Sequence, residues 1–131
     1  MPTLEINVIL GMQTVMPPIL GSVPTTVDHD PSTSHANSPV MWNFQSLDPG
    51  VDSVEIAFQD PSDTYFPSRS GGAATNCVAK LTTGYASIWG TTPHLKKHGV
   101  HPSKYTIKAY DSNGVAMPLY ELDPTVVTVD P

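Results

Sequence analysis

Apolar residues in this chain recur at every second position over short runs, the spacing of a half-buried β-strand. In Val40-Met41-Trp42-Asn43-Phe44-Gln45 the residues Val40, Trp42 and Phe44 share one face. In Ser53 to Gln59 the same holds for Val54, Ile56 and Phe58, with Glu55 and Gln59 on the other face. Further strands are predicted at Leu4 to Leu10, Cys77 to Leu81, Ala86 to Trp89, Lys104 to Asp111, Val115 to Tyr120 and Thr125 to Val129, about eight in all.

Helices are limited by the spacing of breakers. The longest stretches free of Gly and Pro, Ala73 to Thr83 and Ser103 to Asn113, have 11 residues each. An interior proline costs a helix about 3 kcal/mol and a glycine about 1 kcal/mol. Both stretches also read better as strands. Asp-Pro pairs at Asp30, Asp48, Asp60, Asp123 and Asp130 punctuate the chain, the carboxylate capping a turn while proline presets the next φ. Their intervals are irregular, so they mark turns rather than a structural repeat. Gly11 to Pro39 and Asp60 to Asn76 are left as long loops, the first expected to hide a short edge strand around Met12 to Met16.

The stretch from Lys104 to Gly114, KYTIKAYDSNG, resembles the penultimate strand and turn of bacterial immunoglobulin-like and PKD-like modules. In those modules a Tyr-x-hydrophobic strand closes on Asp-x-x-Gly. Ser112-Asn113-Gly114 tolerates the positive φ of a hairpin turn, and Thr125 to Val129 would be the final strand, at or near a sheet edge. The resemblance covers about a quarter of the chain and implies an all-β, antiparallel β-sandwich of about 7–9 strands, immunoglobulin-like, with residues 1–131 as one domain. The tryptophan and cysteine core of antibody domains is absent, and Val115 to Asp123 delays the last strand. A cupredoxin-like sandwich is therefore the alternative. Its copper site would need a cysteine followed closely by His and Met near the chain end, whereas Cys77 precedes Val78-Ala79-Lys80-Leu81.

Composition narrows the function classes. At 131 residues the chain has the size of one domain, with 39% hydrophobic and only 14% charged residues, enough to form a core without disulfides. A net charge of −6 argues against nucleic acid as a partner, since phosphate binding needs a basic surface. Charge is also segregated: Met1 to Ser68 holds eight acidic residues and no Lys or Arg, whereas Arg69 to Tyr110 holds all six basic residues and no acid. Such segments either face each other across neighbouring strands or form two oppositely charged faces that stack copies head to tail. Cys77 has no partner for a disulfide, and neither a signal-peptide pattern nor about 18 consecutive apolar residues occurs. The expectation is a protein without membrane association, cytoplasmic or released without a signal peptide.

Candidate chemistry is sparse. His94, His98 and His101 could converge on zinc or copper if their loop made one helical turn, although Gly99 and Pro102 interrupt it and Lys96 and Lys97 would repel a cation. Asp28-His29-Asp30 lacks the glycine and distal glutamate of a calcium loop. No nucleophile elbow or phosphate cradle occurs, and the carboxylate pairs Asp48/Asp52 and Asp60/Asp63 lie in solvated turns. Cys77 alternates with Ala79 and Leu81 and reads as a buried structural thiol. The aromatics Tyr65, Phe66, Tyr85, Trp89, Tyr110 and Tyr120 exceed what a small core must hide, so some are expected at a partner surface. These features predict a non-enzymatic structural or protein-interaction module without a cofactor, binding a protein partner or forming a homo-oligomer through sheet edges. Tyr110, Tyr120 and Val127 are its expected contact residues, and the metal-binding histidine loop is the alternative.

Overall fold

The computed structural model describes residues 3–11, 24–67, 73–95 and 98–130. Two sheets face each other across one hydrophobic core. The first holds β1 (Leu4–Leu10), β2 (Thr26–Val27), β4 (Pro39–Ser46) and β9 (Tyr85–Thr91) in the order β2-β1-β4-β9. The second holds β3 (Ser32–His35), β5 (Ser53–Phe58), β8 (Asn76–Lys80), β10 (Gly99–Tyr110) and β11 (Thr125–Asp130) in the order β3-β11-β10-β5-β8. A small ribbon, β6 (Phe66–Pro67) with β7 (Ala73–Ala74), pairs separately from both sheets while Phe66 packs into their core. The all-β sandwich expected from the alternation is therefore the architecture.

Alternation also decides what is buried. Ile6, Val8 and Leu10 of β1, Val40, Trp42 and Phe44 of β4, and Val54, Ile56 and Phe58 of β5 point inward, and Tyr105, Ile107 and Ala109 of β10 close the core. Trp42 sits at its centre. Phe58, Tyr65, Phe66 and Tyr105 surround its ring with centroids 5.7–6.2 Å away, and Phe58 stacks on Tyr65 at 3.9 Å. Each such aromatic pair adds about 0.5–1.5 kcal/mol beyond the burial of its area. The indole Nε1 of Trp42 donates to the Tyr105 hydroxyl at 3.2 Å, so neither buried polar group is left dry.

Two expectations need correction and one is narrowed. Pairing is not wholly antiparallel, because β1 runs parallel to β4 and β3 parallel to β11. The chain reverses at β2, keeps that direction through β3 and turns again at residues 36–38, so β4 runs in the same direction as β1. The last strand lies near an edge, as expected, but not at it: β3 covers the outer side of β11, and β10 the other side. Finally, Val115 to Tyr120 is not a strand. Pro118 starts a short 3₁₀ turn, Pro118–Tyr120, a position where its missing N–H is no loss. Isolated bridges at Ala116 and Leu122 instead tie this segment back onto Tyr110 and Ile107.

The turn after β10 has the expected chemistry. Asp111 accepts from the backbone N–H groups of Asn113 and Val115, and Gly114 adopts φ +77°. Of the two long loops, the first contains β2 and β3; the edge strand expected around Met12 to Met16 lies outside the described residues. The second contributes Tyr65 and Phe66 to the core. No helix among the described residues is long and apolar enough to cross a membrane.

Candidate interaction surface

The three histidines of the expected metal loop are drawn apart because β10 begins at Gly99 and takes His101 into its ladder, opposite Thr128. His94 Nδ1 meets the Asn37 amide at 3.3 Å, His98 lies 3.8 Å from Asp130, and His101 Nε2 lies 2.9 Å from Asp63. Among the described residues no three His, Cys, Asp or Glu side chains come together as a metal site would require. The Asp63 and His101 pair is the most enclosed polar contact of the three. Asp63 is only 1% exposed, whereas His101 stays partly open to solvent. Asp63 also lines an open hollow of about 490 Å³ with Gln59, Asp60, Pro102 and Lys104. There the backbone N–H of Ser62, aided by its hydroxyl, lowers the pKa of the Asp60 carboxyl.

The expected contact residues divide. Tyr110 lies on the outer face of the second sheet, its hydroxyl donating to Glu55 at 2.6 Å; that bond pushes its pKa up to about 12. Val127 is half-buried on the same face. Tyr120 is 1% exposed and its hydroxyl donates to Asp48, so its ring belongs to the core and offers little contact area. Tyr65 and Phe66 are buried as well. Cys77 packs against the core, and desolvation pushes its thiol pKa up, which suits an unreactive residue.

Two aromatics remain outside: Trp89 is 55% exposed and Tyr85 58% exposed. Both project from β9, an edge strand, onto the outer face of the first sheet. Register builds that face in three rows. Glu5, Met41 and Trp89 form one, Asn7, Asn43 and Ser87 the next, and Ile9, Gln45 and Tyr85 the third. Its middle row is a continuous hydrogen-bonded chain. Ser87 Oγ donates to Asn43 Oδ1 at 3.2 Å, Asn43 Nδ2 to Asn7 Oδ1 at 3.3 Å, and Asn7 Nδ2 to Asp28 Oδ2 at 2.9 Å. In the third row Gln45 Nε2 donates to the Tyr85 hydroxyl at 3.3 Å.

Charge separates by sheet. The strands of the first sheet carry a single Asp, Glu, Lys or Arg, which is Glu5. Those of the second carry Glu55, Lys80, Lys104, Lys108 and Asp130. Lys108 stands opposite Glu55 in the ladder, although Lys80, Lys104 and Lys108 make no ion pair within 4.0 Å. Sequence reasoning did not single out Tyr85 and Trp89 among the surface aromatics. The available signal was the alternation Tyr85-Ala86-Ser87-Ile88-Trp89 inside a stretch from Leu81 to Leu95 without Asp, Glu, Lys or Arg.

The free edge of β9 is short. Thr91 N–H is taken by the Tyr65 carbonyl at 2.9 Å, and Tyr85 exchanges two backbone bonds with Thr82. Because an antiparallel strand directs alternate residues toward its partner, Ser87 and Trp89 are what β9 has left to offer a further strand. So short an edge resists strand addition. Together these features define an all-β sandwich with one aromatic outer face whose strands carry no cation and a single carboxylate, Glu5. The sequence matches no protein-family model and no curated protein.

Proposed function

We propose that the chain is a non-enzymatic interaction module whose contact surface is the outer face of the first sheet. The observation that carries this reading is the exposure of Trp89 and Tyr85 in line on β9, on a sheet whose strands carry one charged side chain. Exposed tryptophan and tyrosine are the side chains most enriched where proteins make contacts. On this sheet face rather than edge is the mode of contact, since β9 is blocked at both ends and β2, the other edge, has two residues. A second copy or another protein can use this face only by packing side chains, not by extending the sheet.

The order of the second sheet supports part of the immunoglobulin-like reading. There β11, β10 and β5 stand side by side as the last, penultimate and third strands of that sandwich do. The parallel pairing of β1 with β4 departs from a fully antiparallel sandwich.

The chain has two tryptophans, one buried at position 42 and one exposed at position 89, so 5-fluorotryptophan labelling gives one reporter inside and one on the face. Extracts separated into protein and polysaccharide fractions are added to the labelled protein, which is also concentrated alone. Selective shift or broadening of the Trp89 fluorine signal, with Trp42 following only the change in tumbling, is the expected result. A Trp89 signal unmoved by every fraction and by concentration refutes the proposal.

A further inference from the structure

The outer face of the first sheet is arranged in reverse of a protein interface. Protein contacts place an apolar centre inside a polar rim. Here the central row, Asn7, Asn43 and Ser87, is polar and already joined by hydrogen bonds, while the apolar groups flank it, Trp89 with Met41 on one side and Tyr85 with Ile9 on the other. Tyr85 and Trp89 are four residues apart on one strand, so their Cα atoms stand about 13 Å apart, at about 3.3–3.4 Å per residue.

We infer that this face binds a neutral polysaccharide. The inference rests on the contact surface proposed above and names its ligand. A pyranose ring is amphipathic: its C–H face is apolar and its hydroxyls are paired donors and acceptors. Two exposed aromatic rings receive the C–H faces of sugar units lying along β9. The amide and hydroxyl groups between them receive the equatorial hydroxyls: their mutual bonds of 3.2 and 3.3 Å are long enough to be exchanged for bonds to a ligand, while the 2.9 Å bond to Asp28 keeps Asn7 in place. The row is held in place before the ligand arrives, which lowers the ordering cost of binding. The Tyr85 hydroxyl accepts from Gln45 and keeps its own proton to donate.

Charge selects neutrality. Glu5 and Asp28 border the amide row, and no Lys or Arg lies on any strand of the sheet. A uronate, a sulfated glycan or a nucleic acid would meet carboxylates with no cation on these strands to offset them. A second copy fits less well, because face-to-face packing would press two polar rows together and strip their solvent without assured partners.

Native electrophoresis through gels cast with hydroxyethyl cellulose, barley mixed-linkage β-glucan, xyloglucan or galactomannan tests this, with polygalacturonate as the anionic comparison. The expected result is retardation in at least one neutral gel and none in polygalacturonate. Trp89→Ala and Asn43→Ala are each expected to weaken the affinity on the order of ten-fold or more. Leu119→Ser, at an exposed position on the 3₁₀ turn, is expected to leave it unchanged. Because Trp89 is exposed its replacement spares the core, and Trp89→Tyr, retaining a ring, should restore part of the retardation. No retardation in any neutral gel, retardation that survives Trp89→Ala, or retardation by polygalacturonate overturns the inference. So does a dimer on light scattering that Trp89→Ala disperses, which would leave the contact surface standing and replace the glycan by a second copy.

Discussion

Gly90 is the position where one added carbon tests the packing of the whole core. It lies in β9 between Trp89 and Thr91 with its missing side chain directed inward, and a Cβ there would meet the Tyr65 carbonyl oxygen at 3.0 Å, Phe66 Cε1 at 3.1 Å and Trp42 Cζ3 at 3.2 Å. None of these can retreat easily. The carbonyl is backbone and holds the Thr91 N–H at 2.9 Å, and both rings are buried in the aromatic cluster. Overpacking of this kind costs about 1–3 kcal/mol, and the reduced freedom of alanine in the unfolded chain returns about 0.4–1 kcal/mol. Gly90→Ala should thus lose about 1–2 kcal/mol. With an unfolding entropy of about 2.1 cal/mol/K per residue, that lowers the Tm of a chain this long by roughly 4–7 °C. Urea denaturation should show a lower midpoint with an unchanged slope. Gly114→Ala is the contrast, since nothing lies within 4 Å of its Cβ and the cost comes from φ +77° alone. Gly114→Asn should recover part of that loss, because asparagine tolerates left-handed backbone, whereas no larger side chain should be accepted at position 90. A Gly90→Ala variant as stable as the parent would refute the close approach of β9 to the Trp42 cluster.

Three other outcomes follow from the packing and hydrogen bonding of the core and its margins. Trp42→Phe removes the donor to the Tyr105 hydroxyl and leaves that hydroxyl buried and dry, a cost of about 1–3 kcal/mol; adding Tyr105→Phe should return part of it, and strictly additive losses in the double-mutant cycle would show that the bond contributes nothing. His101→Ala strips buried Asp63 of its imidazole partner and should cost about 1–3 kcal/mol at neutral pH. Asp63→Asn in the His101→Ala background should then be less harmful than in the parent, and equal effects in the two backgrounds would contradict the pairing. Desolvation raises the tyrosine pKa values at positions 65 and 105, and the bond to Glu55 raises that of Tyr110 to about 12. The folded state therefore holds these protons more tightly than the unfolded chain, whose tyrosines titrate near pH 10, so stability is intact below about pH 10 and falls as pH rises toward 12. Tyr110→Phe should flatten that fall, and a midpoint independent of pH across this window would rule it out.

Period-two alternation was enough to determine the class of fold, because burying one side of a strand requires every second residue to be apolar. Leu4–Leu10 occurs at the expected bounds, and β4, β5 and β8 lie within one residue of theirs. The Asp111 to Gly114 turn was equally legible, since its chemistry is local: a short carboxylate caps the backbone and a glycine takes positive φ. Pairing was not legible, because a strand's own pattern says which face is buried but not which neighbour lies beside it. Only the tertiary structure decided that β1 runs parallel to β4 and that β3 shields β11. The same physics governs the surface. Sequence placed Tyr110, Tyr120 and Val127 as contacts and His94, His98 and His101 as ligands, but folding buries Tyr120 over Asp48 and sends each histidine to a different partner. Conversely, Trp89, Asn43 and Asn7 lie far apart in the chain and meet only through the register of three strands. A surface made of one residue from each strand leaves no mark on any single segment, which is why the aromatic face had to wait for the sheet.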